Sequence, residues 1–280
     1  MANTLASKLG NQFRYCEDEE HKKSYVIPSR DEIVKTVSLV HYAPDLFMPT
    51  HVHSVGQFST LISGQALETN INAEINNTLG IAEFKPMAYK HSNRIGPNGA
   101  LFLSINLNTE HEAFVSEYGK LGWQLTDKSA TKNVWNSLSK LLLTADPSCN
   151  LDLEEIVFDL LSGSLTDQHT IKQAPNWLLL AEQALNETDM NIQQIAEDIG
   201  VHRVHLSRVF QSHFSLSISE YRQRIALQKS IAAMLNDDES ISLAGAGASF
   251  SDQSHLTRVM KKQLGVTPKT LKLGFNSTLR

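Results

Sequence analysis

The chain has 280 residues, 41% hydrophobic and 20% charged, with only 8 Pro and 14 Gly, a balance that excludes a disordered or low-complexity chain and leaves room for two domains of ordinary size. No run of about eighteen apolar residues marks a membrane span and no signal-peptide-like stretch follows Met1, so a soluble, cytoplasmic protein is expected. The net charge of -5 is uneven, with 11 Lys+Arg against 10 Asp+Glu from Pro175 onward and 14 against 20 before it; a nucleic-acid partner for the second part is permitted by charge, though not demanded by it.

In chain order, the segments VKTVSLVHY from Val34, QFSTLIS from Gln57, TLGIAEF from Thr78 and ALFLSINL from Ala100 read as short strands. Pro44, Gly64, Pro86 and the run Gly96-Pro-Asn-Gly99 punctuate them, which suggests a barrel or sandwich. Beyond Thr109 the apolar spacing turns helical, around Trp135 to Leu143 and Leu151 to Gly163. Those apolar stripes suit either dimerisation or packing back onto the strands. A polar stretch, Ser164 to Ala174, reads as a linker, and Pro175 opens an all-helical part. Cys16 and Cys149 lie far apart without a metal or redox spacing and are expected to be reduced.

That last part repeats itself. Leu206-Ser-Arg-Val-Phe210 returns as Leu256-Thr-Arg-Val-Met260, an offset of 50 residues. A shorter apolar helix precedes each copy, NIQQIAEDI in the first case and SISLAGAGA in the second, with a tight break between at Gly200-Val-His and Ser249-Phe-Ser. This is the layout of two helix-turn-helix units. In the second helix of each unit Leu206, Val209 and Phe210, or Leu256, Val259 and Met260, share an inward face. The outward faces then carry His202, Arg203, His205, Arg208 and Gln211 in the first unit, and Ser251, Gln253, Ser254, Thr257, Arg258 and Lys261 in the second. Arg addresses guanine edges, Gln adenine edges, and Ser, Thr and Lys mainly phosphates, so the inventory fits readout of a DNA groove. Ile218 to Leu235 reads as one long helix between the units, suited to set two recognition helices into successive major-groove segments. Turns of similar kind, Ser215-Leu-Ser and Gly265-Val-Thr-Pro268, close both units.

The segments IAEDIGVHRVHLSRVFQSHFSLSISEYR and FSDQSHLTRVMKKQLGVTPKTLK resemble the AraC/XylS family of bacterial transcription regulators over about the last hundred residues. The resemblance implies two helix-turn-helix subdomains joined by a long helix, behind a ligand-sensing or dimerising N-terminal domain. The second unit departs from the family at Ala244-Gly245 and Ser249-Phe250, and it carries Gly245 and Gly247 inside its first helix, each costing about 1 kcal/mol relative to Ala. The first unit departs more mildly, at Ser215 and Ile218.

In the first part, His51-Val-His53 sets two imidazoles on one side of a strand. With Gln57 and Gly64 this resembles the first cupin motif, Gln57 standing where the family has Glu. Gly80, Pro86 and His91 resemble the second, with Ala88 and Ile95 as departures. The resemblance implies a metal held by His51, His53, Gln57 and His91, although a neutral Gln binds a divalent cation less strongly than a carboxylate. The same residues together with Arg94, which could pair with a carboxylate, are equally an effector site without metal.

The expected fold class is therefore α+β in two domains: a cupin-like sensor and dimerisation domain at 1-163, a linker at 164-174 and a DNA-binding domain at 175-280. The expected function is sequence-specific regulation of transcription in response to a small-molecule effector, without catalysis. Double-stranded DNA, the effector, a second copy of the chain and RNA polymerase are the expected partners, with no membrane. The competing reading is a cupin metalloenzyme, an oxygenase or isomerase, with an accessory helical domain.

Overall fold

The computed structural model describes residues 14–15, 22–29, 32–71, 74–77, 79–108, 124–126, 131–135, 138, 153–162, 175–214 and 216–276. Cys16, Cys149, the linker 164–174, Ser215 and most of the helix expected at 135–143 lie outside the described residues.

Among the described residues the first part is one nine-stranded sheet, antiparallel apart from its first pairing. Its strands are β1 (Arg14–Tyr15), β2 (Lys22–Pro28), β3 (Val34–Tyr42), β4 (Leu46–Val52), β5 (Gln57–Asn70), β6 (Glu74–Asn76), β7 (Ala82–Lys85), β8 (Lys90–Leu107) and β9 (Gln124–Thr126). The spine is β8. Its C-terminal half pairs with β3, its N-terminal half with β4, and β5 runs along both. Strands this long must bend to wrap a core, and the register slips twice along β5, between Leu61 and Ser63 and between Gly64 and Ala66. Gly64 makes the bend possible. Its φ is +92°, and a Cβ there would come 2.1 Å from the carbonyl oxygen of Gly99. The run Gly96-Pro-Asn-Gly99 therefore lies inside β8, at the bend, rather than between strands.

Two apolar clusters line the sheet. Leu46, Leu61, Ala66, Ile95, Ala100 and Phe102 form one. The other takes Phe58, Phe84, Leu103 and Ile105 from the strands and packs them against Trp135, Leu138 and helix α1 (Leu153–Ser162), through Ile156, Val157 and Leu160. The buried side of α1 is thus spent on the sheet, while Phe158 on its outer side stays exposed.

The helical part comprises α2 (Asn176–Glu187), α3 (Ile192–Asp198), α4 (Arg203–Phe214), α5 (Ile218–Asn236), α6 (Ile241–Gly247), α7 (Gln253–Leu264) and α8 (Pro268–Asn276). Side-chain caps start these helices where the sequence supplies them. Asn191 and Gln194 form a capping box on α3, Ser217 and Glu220 another on α5, and Ser240 and Asp252 cap α6 and α7. No helix among the described residues is long and apolar enough to cross a membrane.

The two helical units are mounted differently. The first unit packs within itself: Leu178, Leu185, Ile195, Leu206, Phe210 and Tyr221 make a separate cluster. The second unit is continuous with the sheet's own cluster, through Leu227, Ile231, Ala244, Phe250, Leu256, Met260 and Leu264. The Trp135 indole nitrogen donates to the carbonyl of Leu264 at 3.1 Å and so satisfies one of the bare carbonyls at the end of α7. Polar contacts carry the remaining junction between sheet and helices. Tyr221 donates to Glu182 at 2.6 Å, the Gln65 amide donates to the same carboxylate oxygen at 3.2 Å, and the Gln228 amide donates to the Asn98 carbonyl at 3.0 Å.

Candidate functional site

In each unit a short scaffold helix is followed by a turn whose left-handed residue, Gly200 or Ser249, redirects the chain into the second helix. α4 begins at Arg203 and buries Leu206 and Phe210, an i, i+4 pair on one stripe. Burying side chains of this size contributes about 2 to 3 kcal/mol each, enough to fix which face of α4 remains outside. α7 does the same with Leu256, Val259, Met260 and Leu264.

The outward faces then sort themselves. Arg203, Arg208 and Gln211 of α4 are exposed, as are Gln253, Ser254, Arg258 and Lys261 of α7. Together with Thr257, those four α7 residues line an open surface recess. Other residues expected to read DNA are engaged within the protein. The His202 ring Nδ1 accepts from the backbone of Val204 at 3.3 Å and acts as a cap for α4. His205 lies 5.5 Å from the Trp177 ring, and its Nδ1 is 3.4 Å from the Arg208 guanidinium, so it steadies that arginine. Ser251 bonds with His255 at 3.2 Å beside the Asp252 cap. The Thr257 hydroxyl donates back to the Gln253 carbonyl at 2.8 Å, as Ser207 does to Arg203 at 3.1 Å. Of the residues expected to face DNA, Arg203, Arg208, Gln211, Gln253, Ser254, Arg258 and Lys261 are exposed, as are His202, His205 and Ser251 despite their local bonds, while Thr257 is half-buried. Val204, exposed on the same face of α4, was not among the expected residues.

A second cluster lies in the sheet. His51 and His91 are register partners on β4 and β8, and His53 follows β4 directly. Their ring centroids lie 4.3 to 5.2 Å apart, and one nitrogen from each comes within 4.8 Å of the others. The Nδ1 of His51 faces the Pro49 carbonyl at 2.9 Å and that of His91 faces the Tyr89 carbonyl at 3.4 Å. A carbonyl can only accept, so each ring carries a proton on Nδ1, and Nε2 is the nitrogen through which a neutral ring would bind a metal. Burial, with neighbouring imidazoles and Lys85 adding to it, lowers His53 to about 4, the Glu68 carboxylate opposing. Burial, Lys85 and His51 lower His91 to about 3. Both rings are neutral near pH 7, the state a metal requires.

Gln57 and Arg94 are turned to other partners. The Gln57 amide donates to Asn106 at 2.8 Å, and Asn106 donates on to Thr36. Arg94 is three residues from His91 on β8, so strand alternation sends it to the opposite face, where its guanidinium lies 5.6 Å from the Phe47 ring centre. In their place the sheet supplies a buried charged group unforeseen from the sequence. The Lys85 ammonium pairs with Glu68 and lies 3.8 Å from Glu83, all three being almost wholly buried. The available signal was a charge at alternate positions, Glu83 and Lys85, within the short strand Ala82–Lys85.

With the geometry in hand, the chain can be set beside known proteins. Residues 195–273 match a helix-turn-helix domain family. No curated protein matches the chain. Among solved structures, it is similar to ToxT from Vibrio cholerae, at 12% identity over 90% of this chain and 97% of that one, with a TM-score of 0.35. The C-terminal domain of AraT, a response regulator from Geobacillus stearothermophilus, is similar at 21% identity over 36% of this chain and 87% of its own, with a TM-score of 0.33. Oxalate decarboxylase from B. subtilis is similar at 18% identity over 30% of this chain and 24% of its own, with a TM-score of 0.28. The family match falls on the paired units formed by α3 with α4 and α6 with α7, so residues 195–273 of this chain form a helix-turn-helix domain.

Proposed function

We propose that the protein binds a specific duplex through both helix-turn-helix units at once and regulates transcription in response to an effector held by its strand domain. The observation that carries this reading is the pair of outward faces, each centred on an exposed arginine, Arg208 and Arg258, at a common offset of 50 residues. The nineteen-residue helix α5 that joins them is about 28 Å long, suited to a monomer that spans two successive major-groove segments. A cytoplasmic location, a second copy of the chain and RNA polymerase as partners belong to the same reading.

The effector site we assign to His51, His53 and His91. Three imidazoles, two of them oriented by backbone carbonyls, fit a divalent first-row transition metal, and Glu68 adds a nearby negative charge. β5 carries Glu68 and, three residues earlier, Gln65, which bonds to Glu182 and Tyr221 of the first helical unit. An effector that favours one arrangement of this junction would shift the population of DNA-binding geometries by its differential affinity. This reading is preferred to a metalloenzyme because it gives the helical domain its work.

Selection of bound genomic fragments by the full-length protein tests the DNA reading. On the selected duplex, Arg208→Ala and Arg258→Ala should each weaken binding by about 1 to 3 kcal/mol if the arginine addresses a base, or flatten the salt slope by about one if it holds a phosphate. Failure to bind any duplex in a salt-dependent way would overturn the proposal. Elemental analysis of the purified protein and of His53→Ala tests the metal independently of DNA.

A further inference from the structure

The two units are built on one plan, so each outward position in α4 has a counterpart 50 residues on in α7. Arg203, Val204, Ser207, Arg208 and Gln211 correspond to Gln253, Ser254, Thr257, Arg258 and Lys261, the residues that line the α7 recess. The arginines agree, and the two hydroxyls make the same bond back to the preceding turn. The second position disagrees in kind: Val204 is apolar where Ser254 is polar.

Val204 has no evident task in the fold. It is 60% exposed and takes no part in the cluster that Leu206 and Phe210 build with α2 and α3. A β-branched residue on an exposed helical face is also a weaker helix former than Ala. Single exposed apolar residues are common on protein surfaces, but this one stands in the first turn of the second helix of its unit, the part that approaches base edges when such a helix lies in the major groove. Four residues on, Arg208 shares its face. The only apolar group on any base edge in the major groove is the 5-methyl of thymine.

We propose that Val204 is a specificity-determining residue that packs on the 5-methyl group of a thymine beside the base addressed by Arg208. Ser254 makes no such contact in the second unit. The operator is therefore two unlike subsites rather than a direct repeat, and only the one under α4 requires a thymine methyl. This inference rests on the DNA-binding reading given above.

The test uses full-length protein and the duplex obtained by selection, with each thymine replaced in turn by deoxyuridine, which removes the methyl and nothing else. For the unaltered protein, one position under α4 should lose about 4- to 15-fold in affinity, the worth of one or two buried methyl contacts. Val204→Ala should lose a similar factor on the unaltered duplex and become indifferent to deoxyuridine at that position. Val204→Ile should keep both affinity and discrimination. Thermal denaturation of each variant, expected to show no loss of stability because the side chain is exposed and Ala is the better helix former, separates loss of contact from loss of fold. Specific binding with a flat deoxyuridine profile, or discrimination that persists in Val204→Ala, overturns this inference and leaves the regulator reading standing. Absence of specific binding to any duplex overturns both.

Discussion

Gly200 and Ser249 occupy the same place in the two units, two residues past the end of the scaffold helix, and both adopt left-handed backbone, with φ of 72° and 66°. Glycine takes this conformation without steric cost. Serine gives up about 1 to 2 kcal/mol to crowding between Cβ and the backbone. Ser249→Gly should therefore stabilise the protein by about 1 kcal/mol, and Gly200→Ala should destabilise it by a similar amount. Paired denaturant titrations would show it; shifts of equal sign in the two variants would refute the equivalence.

Gly245 and Gly247 both lie in α6, yet their situations differ. A Cβ on Gly245 would touch Leu256 at 3.4 Å, whereas a Cβ on Gly247 would meet nothing within 4 Å. Gly247→Ala should raise stability by about 1 kcal/mol through helix propensity alone. Thermal melting checks this, with no change in duplex affinity expected.

The buried pair of Glu68 and Lys85 is held by partnership rather than by solvent. Lys85→Met leaves the carboxylate alone in the sheet and should cost about 3 to 5 kcal/mol, while adding Glu68→Gln should recover much of that loss. Urea denaturation of the single and double variants distinguishes this from a surface pair, for which neither change would matter.

Burial raises the Glu83 carboxyl to about 7, against the pull of Lys85. The folded state then holds a proton that the unfolded chain has already released, so this group makes the protein less stable as pH climbs from its ordinary range near 4.5 toward 7. Glu83→Gln should remove that fall. Stability measured at pH 5 and pH 8 should converge in the variant, and an unchanged difference would exclude Glu83 as its source.

The helical units were legible from their sequence because their information is local: an i, i+4 apolar stripe, a capping residue and a turn, stated twice. The long helix expected at 218–235 ends one residue later, at Asn236. The strands were harder to read. Gly96-Pro-Asn-Gly99 has the composition of a turn, yet β8 passes through it, because Gly64 on the neighbouring strand supplies a matching bend that only pairing reveals. The strand inferred under His51 and His53 is β4, which ends at Val52, and nothing in that motif shows which strand it pairs with. Their meeting with His91 follows from the register of β4 on β8, and register is a property of two strands, absent from either one alone. Val204 was passed over on chemical grounds: a search for hydrogen-bond donors does not find a methyl group.

Helix α7 ends against Trp135, and the apolar face of its unit is completed by strands that lie more than a hundred residues away in sequence. An engineer who cuts the chain near Pro175 and fuses the helical half to a foreign sensor would carry across a first unit with its own interior and a second with an open wound. Such a chimera should keep one firm grip on its operator and lose the other, unless the new sensor offers a greasy surface of the same shape. The strand domain is in this sense a structural part of the second helical unit.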